Sequence, residues 1–263
     1  MMVFLKSTFL PWASVMCPSS KTCNKILNTE YSEKMDELYS LGGTSGGARP
    51  KILTEIDGED WIIKFPTYVD ERDAGMIEYQ YLICAGKCGI NMPQTRLFHS
   101  DKCQGYFGVK RFDRKKENNE TKKIHMLTAV ALLEIYFNQP CMDYNDLMKL
   151  TKILTNNNWD DIDNMYRRMC FNVYAHNRDD HAKNFTYIYD EKNETWRLSP
   201  AYDLTYSNTY YGEHTTTVAG NGRNPGIKEL TEVGVNAGLK KQYCEEVAGE
   251  IRGLVEDMLN NYI

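Results

Sequence analysis

The chain has no apolar run of the ~18 residues that a membrane-spanning helix requires, no internal repeat and no low-complexity linker. Its N-terminal stretch MMVFLKSTFLPWASVMC is mildly apolar, but Lys6, Ser7 and Pro11 interrupt it. The basic leader of a secretory signal is missing from it. Met16 reads as an alternative start, which would make the first fifteen residues a translation artefact. A basic excess is absent too. The net charge of −5 lends no support to wholesale nucleic-acid binding, which needs a cationic face. A disulfide framework is also lacking. The cysteines, at 17, 23, 84, 88, 103, 141, 170 and 244, are scattered along 263 residues, which points to a reducing, cytoplasmic compartment. Cys17 and Cys23 stand further apart than a zinc-knuckle pair and no second pair follows, while Cys84 and Cys88 would lie one helical turn apart, as buried thiols do.

What is present describes a folded chain. Hydrophobic residues make up 42%, charged residues 25% and aromatics 12%, an ordinary globular balance, and the length suffices for two lobes. From 41 to 66 the pattern reads loop, strand, turn, strand: KILTEI and DWIIKF flank Asp57-Gly58, a dipeptide suited to a tight hairpin. ERDAGMIEYQYLICAGKCG has helical spacing with Gly89 as its stop. TRLFH and GYFGVKRF form a second strand pair. The cationic run from Lys110 to Lys123 reads as a solvated loop, with a docking patch as the alternative. Beyond Arg114, MLTAVALLEIYFN, YNDLMKLTKIL and IDNMYRRMCFNVYA are helix-like, the hairpin NFTYIYD-EKNE-TWRLSP follows, and helices return from Ile227. The expected class is α+β: a β-rich lobe over 36–113, a helical lobe over 114–263 and an extension over 1–35, with a cleft where ligands favour binding.

Five pieces carry chemistry. LGGTSGGARPK places four glycines, 42, 43, 46 and 47, before a strand, where backbone N–H groups can approach a phosphate; Ala48 stands where a Walker loop needs lysine. Lys64 ends an apolar strand and Glu78 lies on the following helix, an arrangement similar to the lysine–glutamate pair of kinase small lobes; the bland alternative is a snorkelling lysine beside an exposed glutamate. In NRDDHAKN, Asp179 is followed five residues later by Asn184, the D-x-x-x-x-N spacing of a kinase catalytic loop; Asp180 lacks such a partner. Asp203 in SPAYDL, just after the hairpin, supplies a second metal carboxylate. His181 either braces the loop or acts as base, and Lys183 either neutralises the γ-phosphate or pairs with a carboxylate.

GGARPK, WIIKFP, VKRFDR, NRDDHAKN and LSPAYDL, in this order over about 36–262, resemble the HipA family of bacterial serine/threonine kinases. The resemblance implies a two-lobed protein-kinase-like fold, ATP and Mg²⁺ as cofactors, and phosphorylation of a protein. It implies Asp179 as catalytic aspartate, Asn184 and Asp203 on Mg²⁺, Lys64 on the ATP phosphates, the backbone around Lys110 and Phe112 on adenine, and Asp113 on the ribose. Gly46 and Gly47 would belong to the phosphate loop. The autophosphorylation serine of the family is replaced by Thr44, with Ser45 beside it. Such kinases are toxins of toxin–antitoxin modules, so a HipB-like antitoxin and an aminoacyl-tRNA synthetase substrate are implied, with no direct nucleic-acid or membrane binding. About forty residues precede the glycine loop where full-length members have roughly a hundred. The chain therefore looks like the short branch of HipT and CtkA-type kinases, its missing subdomain dispensable or supplied by a separate small protein. Alternatives are a lipid or small-molecule phosphotransferase, a catalytically silent nucleotide-binding module that sequesters an antitoxin, and a metallohydrolase built on His176, Asp179 and His181.

Overall fold

In the computed structural model, which describes residues 50–66, 73–117, 120–135, 142–209 and 211–263, the first alternating runs become β1 (Lys51–Ile56) and β2 (Glu59–Lys64), antiparallel with Ile56 opposite Glu59. Asp57 and Gly58 between them have φ of +52° and +79°, the left-handed pair that matches the twist of a two-residue hairpin. The glycine-rich motif with Thr44, Ser45, Gly46 and Gly47, as well as Cys17 and Cys23, lies outside the described residues. Helix α1 (Ala74–Lys87) follows and stops at Gly89, whose φ is +76°, with the Gly89 and Ile90 N–H groups returning to Gly86 and Ala85 carbonyls. Strands β3 (Thr95–Phe98) and β4 (Tyr106–Lys110) complete an antiparallel sheet of order β1-β2-β4-β3. Gly108 is required in β4, because a Cβ there would collide with the Phe98 ring.

One face of this sheet buries Trp61, Ile63 and Phe65 with Ile56, Phe98 and Tyr106 as a small cluster. The helix joins a different core. Tyr81, Leu82, Cys84, Ala85 and Cys88 pack with Leu147, Met165, Phe171 and Ile251 of the helical part. Polar contacts fasten the same junction: the Tyr81 hydroxyl donates to the Ala175 carbonyl at 2.9 Å, Arg167 Nη1 to the Cys88 carbonyl at 3.0 Å, and the Ala201 N–H to the Asn91 carbonyl at 2.8 Å.

Two expectations need correcting. The cationic run is not a loop: β5 (Arg114–Glu117) and β6 (Glu120–Lys123) form a separate antiparallel ribbon. It has no apolar alternation to announce it. Lys115 and Lys122 face each other, an unfavourable pairing that Glu117 relieves by contacting both ammonium groups at 2.6 Å. MLTAVALLEIYFN is not one helix either. Met126–Thr128 is strand β7, and helix α2 spans only Ala129–Leu132, capped by the Thr128 hydroxyl. A short apolar run does not distinguish strand from helix by periodicity, and pairing with β9 (Thr186–Asp190) decides for strand here.

The rest follows the expected order. β9 and β10 (Thr195–Leu198) are a hairpin extended by β7 into a three-stranded sheet. Helices α3 (Tyr144–Leu154), α4 (Trp159–Tyr174), α5 (Ile227–Asn236) and α6 (Lys241–Leu259) build the large core. A two-residue parallel pairing of β8 (Met142–Asp143) with β11 (Thr216–Thr217) leads directly into α3. The fold is α+β, strand-rich first and helical later. Among the described residues no helix is long and apolar enough to cross a membrane, and Cys84, Cys88, Cys170 and Cys244 are buried free thiols.

Candidate active site

Alternation along β2 sends Ile63 into the small cluster and turns Ile62 and Lys64 toward a cleft of about 270 Å³ between the sheet and the helical part. Phe107, Val109, Leu82 and Met126 supply its apolar wall, and Phe112 and Tyr202 close it with rings 5.8 Å apart at 31°. Lys64 Nζ meets Glu78 Oε1 at 2.6 Å and also touches Asp203 Oδ1, from the other side of the cleft. Burial alone would lower the Lys64 pKa, but the two carboxylates raise it above its ordinary value, so the ammonium persists. The snorkelling alternative is thereby excluded: Glu78 is 2% exposed and engaged.

Asp203 sits at φ +53°, an uncommon conformation for a residue with a Cβ. Its segment is clamped on both sides: the Ser199 N–H donates to the Thr186 carbonyl, Arg168 Nη2 donates to the Ser199 carbonyl, and the Tyr202 hydroxyl donates to the Lys183 carbonyl at 2.9 Å. Burial would push the Asp203 carboxyl up, yet the charge and hydrogen bond of Lys64 bring it below the usual value, with Lys51 and Lys183 contributing.

The stretch 175–185 is irregular, and side chains rather than a ladder hold its shape. Asp179 is exposed, and partial desolvation raises its carboxyl pKa against the opposing charges of Lys183 and His181. Asn184 Nδ2 donates to the Asp179 carbonyl at 2.9 Å, which ties the first and last residues of the five-residue spacing together. His181 Nδ1 accepts the Lys183 N–H at 3.3 Å and so caps the single 3₁₀ turn Ala182–Asn184. Asp180 is buried, taking the Tyr144 hydroxyl at 2.9 Å, His214 Nδ1 at 2.9 Å and the Thr216 N–H at 3.0 Å.

At the β4 end of the cleft, the Lys110 N–H is bonded to the Gln94 carbonyl and the Arg111 N–H to that of Asp60, and Phe112 lines the cleft just beyond the strand. Asp113 is held by Arg111 Nε at 2.9 Å and by Arg111 Nη2 and Arg114 Nη1 at 2.6 Å each; burial would raise its pKa and these guanidinium groups carry it below the ordinary range. Lys64, Glu78, Lys110, Phe112, Asp113 and Asp203 thus share one cleft, and a small polar recess beneath it brings Asn184 beside Asp203. Lys183 acts electrically on both Asp179 and Asp203. Sequence reasoning missed Lys51, Arg111 and Tyr202 on the cleft wall, and Tyr144 and His214 beneath the loop. The tyrosine of SPAYDL was the one available signal. A larger recess of about 450 Å³, between α3 and α5, contains none of the predicted groups.

Residues 43–259 match the family model of the HipA-like C-terminal domain. The chain belongs to that family. A HipA-like relationship also appears in individual proteins. "Putative kinase Y4dM" of Sinorhizobium fredii is 26% identical over 182 residues, covering 64% of this chain and 42% of that protein, so this HipA-like chain spans less than half of its curated relative. HipA of Shewanella oneidensis MR-1, solved with HipB and operator DNA, superposes with a TM-score of 0.68 at 16% identity over 98% of this chain and 67% of that one. The Helicobacter pylori proinflammatory kinase CtkA superposes with a TM-score of 0.52 at 11% identity over 84% and 90% of the two chains. The fold of this HipA-like chain is therefore kinase-like.

Proposed function

We propose that the protein is an ATP- and Mg²⁺-dependent kinase that phosphorylates serine or threonine on a protein. The observation that carries this reading is the meeting of Lys64, Glu78 and Asp203 across one cleft, with Asn184 and the Asp179 loop beside it. The donor chemistry fits the cofactors. Mg²⁺ prefers oxygen ligands and is held by one or two carboxylates together with substrate phosphates; Asp203 offers a carboxylate, and an amide such as Asn184 that donates through its nitrogen keeps its oxygen as an acceptor. The apolar walls and the Phe112–Tyr202 pair suit a planar base.

In this reading Lys64, oriented by Glu78, holds phosphate oxygens. Asp203 and Asn184 hold the metal, which when bound screens the charge that develops on the transferring phosphoryl group. Asp179 orients the acceptor hydroxyl and takes its proton as the oxygen–phosphorus bond forms and the bond to the ADP leaving group breaks. Lys183 supplies a further positive charge. His181 braces the loop as its cap.

The test is transfer of ³²P from [γ-³²P]ATP by the purified chain. Asp179→Asn is expected to abolish labelling while the circular-dichroism spectrum stays native; full labelling by that variant would refute the assignment. Peptide mapping of the same reaction reads whether Thr44 or Ser45 carries phosphate, the self-regulation expected from the family resemblance. A toxin role, an aminoacyl-tRNA synthetase as substrate, a HipB-like antitoxin as partner and a cytoplasmic location extend the proposal. The similar Shewanella protein, found with HipB, supports the partner. Phosphoproteomics after brief expression of wild type and Asp179→Asn identifies the substrate, or rejects the synthetase.

A further inference from the structure

Two consecutive carboxylates of the loop have opposite fates. Asp179 is exposed, whereas the Asp180 side chain is 0% accessible. An ionised carboxylate so buried is costly unless donors satisfy it, and three do, each from outside the loop. Tyr144 is the first residue of α3, His214 lies in the segment after Asp203, and Thr216 is in β11. A carboxylate only accepts, so the His214 Nδ1 facing it carries the proton. The Tyr144 hydroxyl in turn accepts Asn172 Nδ2 from α4, and Asn172 Oδ1 accepts Asn177 Nδ2, which returns the chain of bonds to the start of the loop.

The backbone is gripped by the same segment. The Thr216 hydroxyl donates to the Asp180 carbonyl at 2.6 Å, and both the N–H and the hydroxyl of Thr215 donate to the Arg178 carbonyl at 3.0 Å. Residues 178 and 180 are thus pinned, and Asp179 stands between them. In a stretch without helix or strand, these bonds hold the backbone from which its carboxylate projects.

We infer that His214, acting through the Asp180 carboxylate, is a positioning residue for phosphoryl transfer, adding to the grip that Thr215 and Thr216 keep on the backbone either side of Asp179. The inference rests on the kinase reading above for its effect on turnover, but its geometric half is independent of it. Removing the imidazole leaves a buried carboxylate short of one donor, and the loop relaxes. A displacement of the reacting group by about 1 Å costs on the order of a hundredfold in rate.

The experiment uses the full chain, [γ-³²P]ATP, magnesium chloride and dephosphorylated casein as acceptor, together with hydrogen exchange of peptides spanning 177–185. His214→Ala is expected to lower kcat about a hundredfold with KM for ATP unchanged, and to speed exchange of those peptides. His214→Asn, which keeps a donor at the Nδ1 position, recovers most of both, whereas His214→Gln, whose amide sits where Nε2 was, does not. Combining His214→Ala with Asp180→Asn is no worse than the more damaging single change, the non-additivity of groups that act as a unit. Wild-type kcat in His214→Ala overturns the inference. So does a loss that follows melting temperature alone and is equal in the Asn and Gln variants, a comparison that stands even where the Ala variant does not fold. Should the wild type transfer no label, the kinase reading falls, and unchanged loop exchange across the His214 variants still overturns the positioning role separately.

Discussion

Lys64 concentrates the electrostatics of the site in one ammonium group. Its charge is maintained against burial by Glu78 and Asp203, so a neutral side chain of similar length would remove the bridge between the two carboxylates and, on the proposed function, the contact to phosphate. Lys64→Met is expected to lower kcat for phosphoryl transfer roughly 10²- to 10³-fold, as loss of one preorganised charge-stabilising donor does; steady-state kinetics of the purified variant checks it. At this scale the sequence was informative where spacing carries the chemistry. Asn184 five residues after Asp179 distinguished that aspartate from Asp180, and the structure leaves the first exposed and seals the second. His214 and Tyr144 were not legible, because a histidine and a tyrosine thirty-odd residues either side of the loop carry no local pattern; only tertiary packing joins them to Asp180.

Helix α3 shows how one carboxylate joins elements. Asp143 caps it, accepting the Asn145 N–H at 2.9 Å within a reciprocal capping box, and also takes the Thr217 hydroxyl at 2.6 Å and the Gly220 N–H at 2.8 Å. Burial would raise its pKa; these hydrogen bonds carry it below the ordinary 3.8. A depressed folded-state value contributes stability that is present above the unfolded pKa and is lost as pH falls through the folded one. Asp143→Ala is therefore expected to cost about 1 kcal/mol or more near neutrality, with the difference from wild type shrinking as pH falls below 3.8 and through the lower folded-state value; urea unfolding at a series of pH values measures it. The Asp57-Gly58 hairpin is written locally, and so was readable. The two-residue pairing of β8 with β11 is too short for any periodicity, the β5–β6 ribbon is held by charges rather than alternation, and β7 owes its conformation to a partner sixty residues away.

The whole molecule is divided less cleanly than its sequence suggests. A β-rich half followed by a helical half reads as two lobes, but the core of α1 is shared with the helical part, and among the described residues the small cluster on the outer sheet face stands apart. Tyr81 is 0% exposed and its hydroxyl satisfies the Ala175 carbonyl just before the loop that carries Asp179. Tyr81→Phe strands that carbonyl and is expected to cost about 1–3 kcal/mol, displacing the entire urea transition without splitting it; coincident far-UV ellipticity and tryptophan fluorescence curves would show this. Glu78 rides on the same helix. Swinging it away from Lys64 would mean tearing Tyr81, Arg167 and Ala201 from their partners, so a throttle that works by helix displacement is closed to this protein. Any brake on its chemistry has to be applied elsewhere, as at the mouth of the cleft.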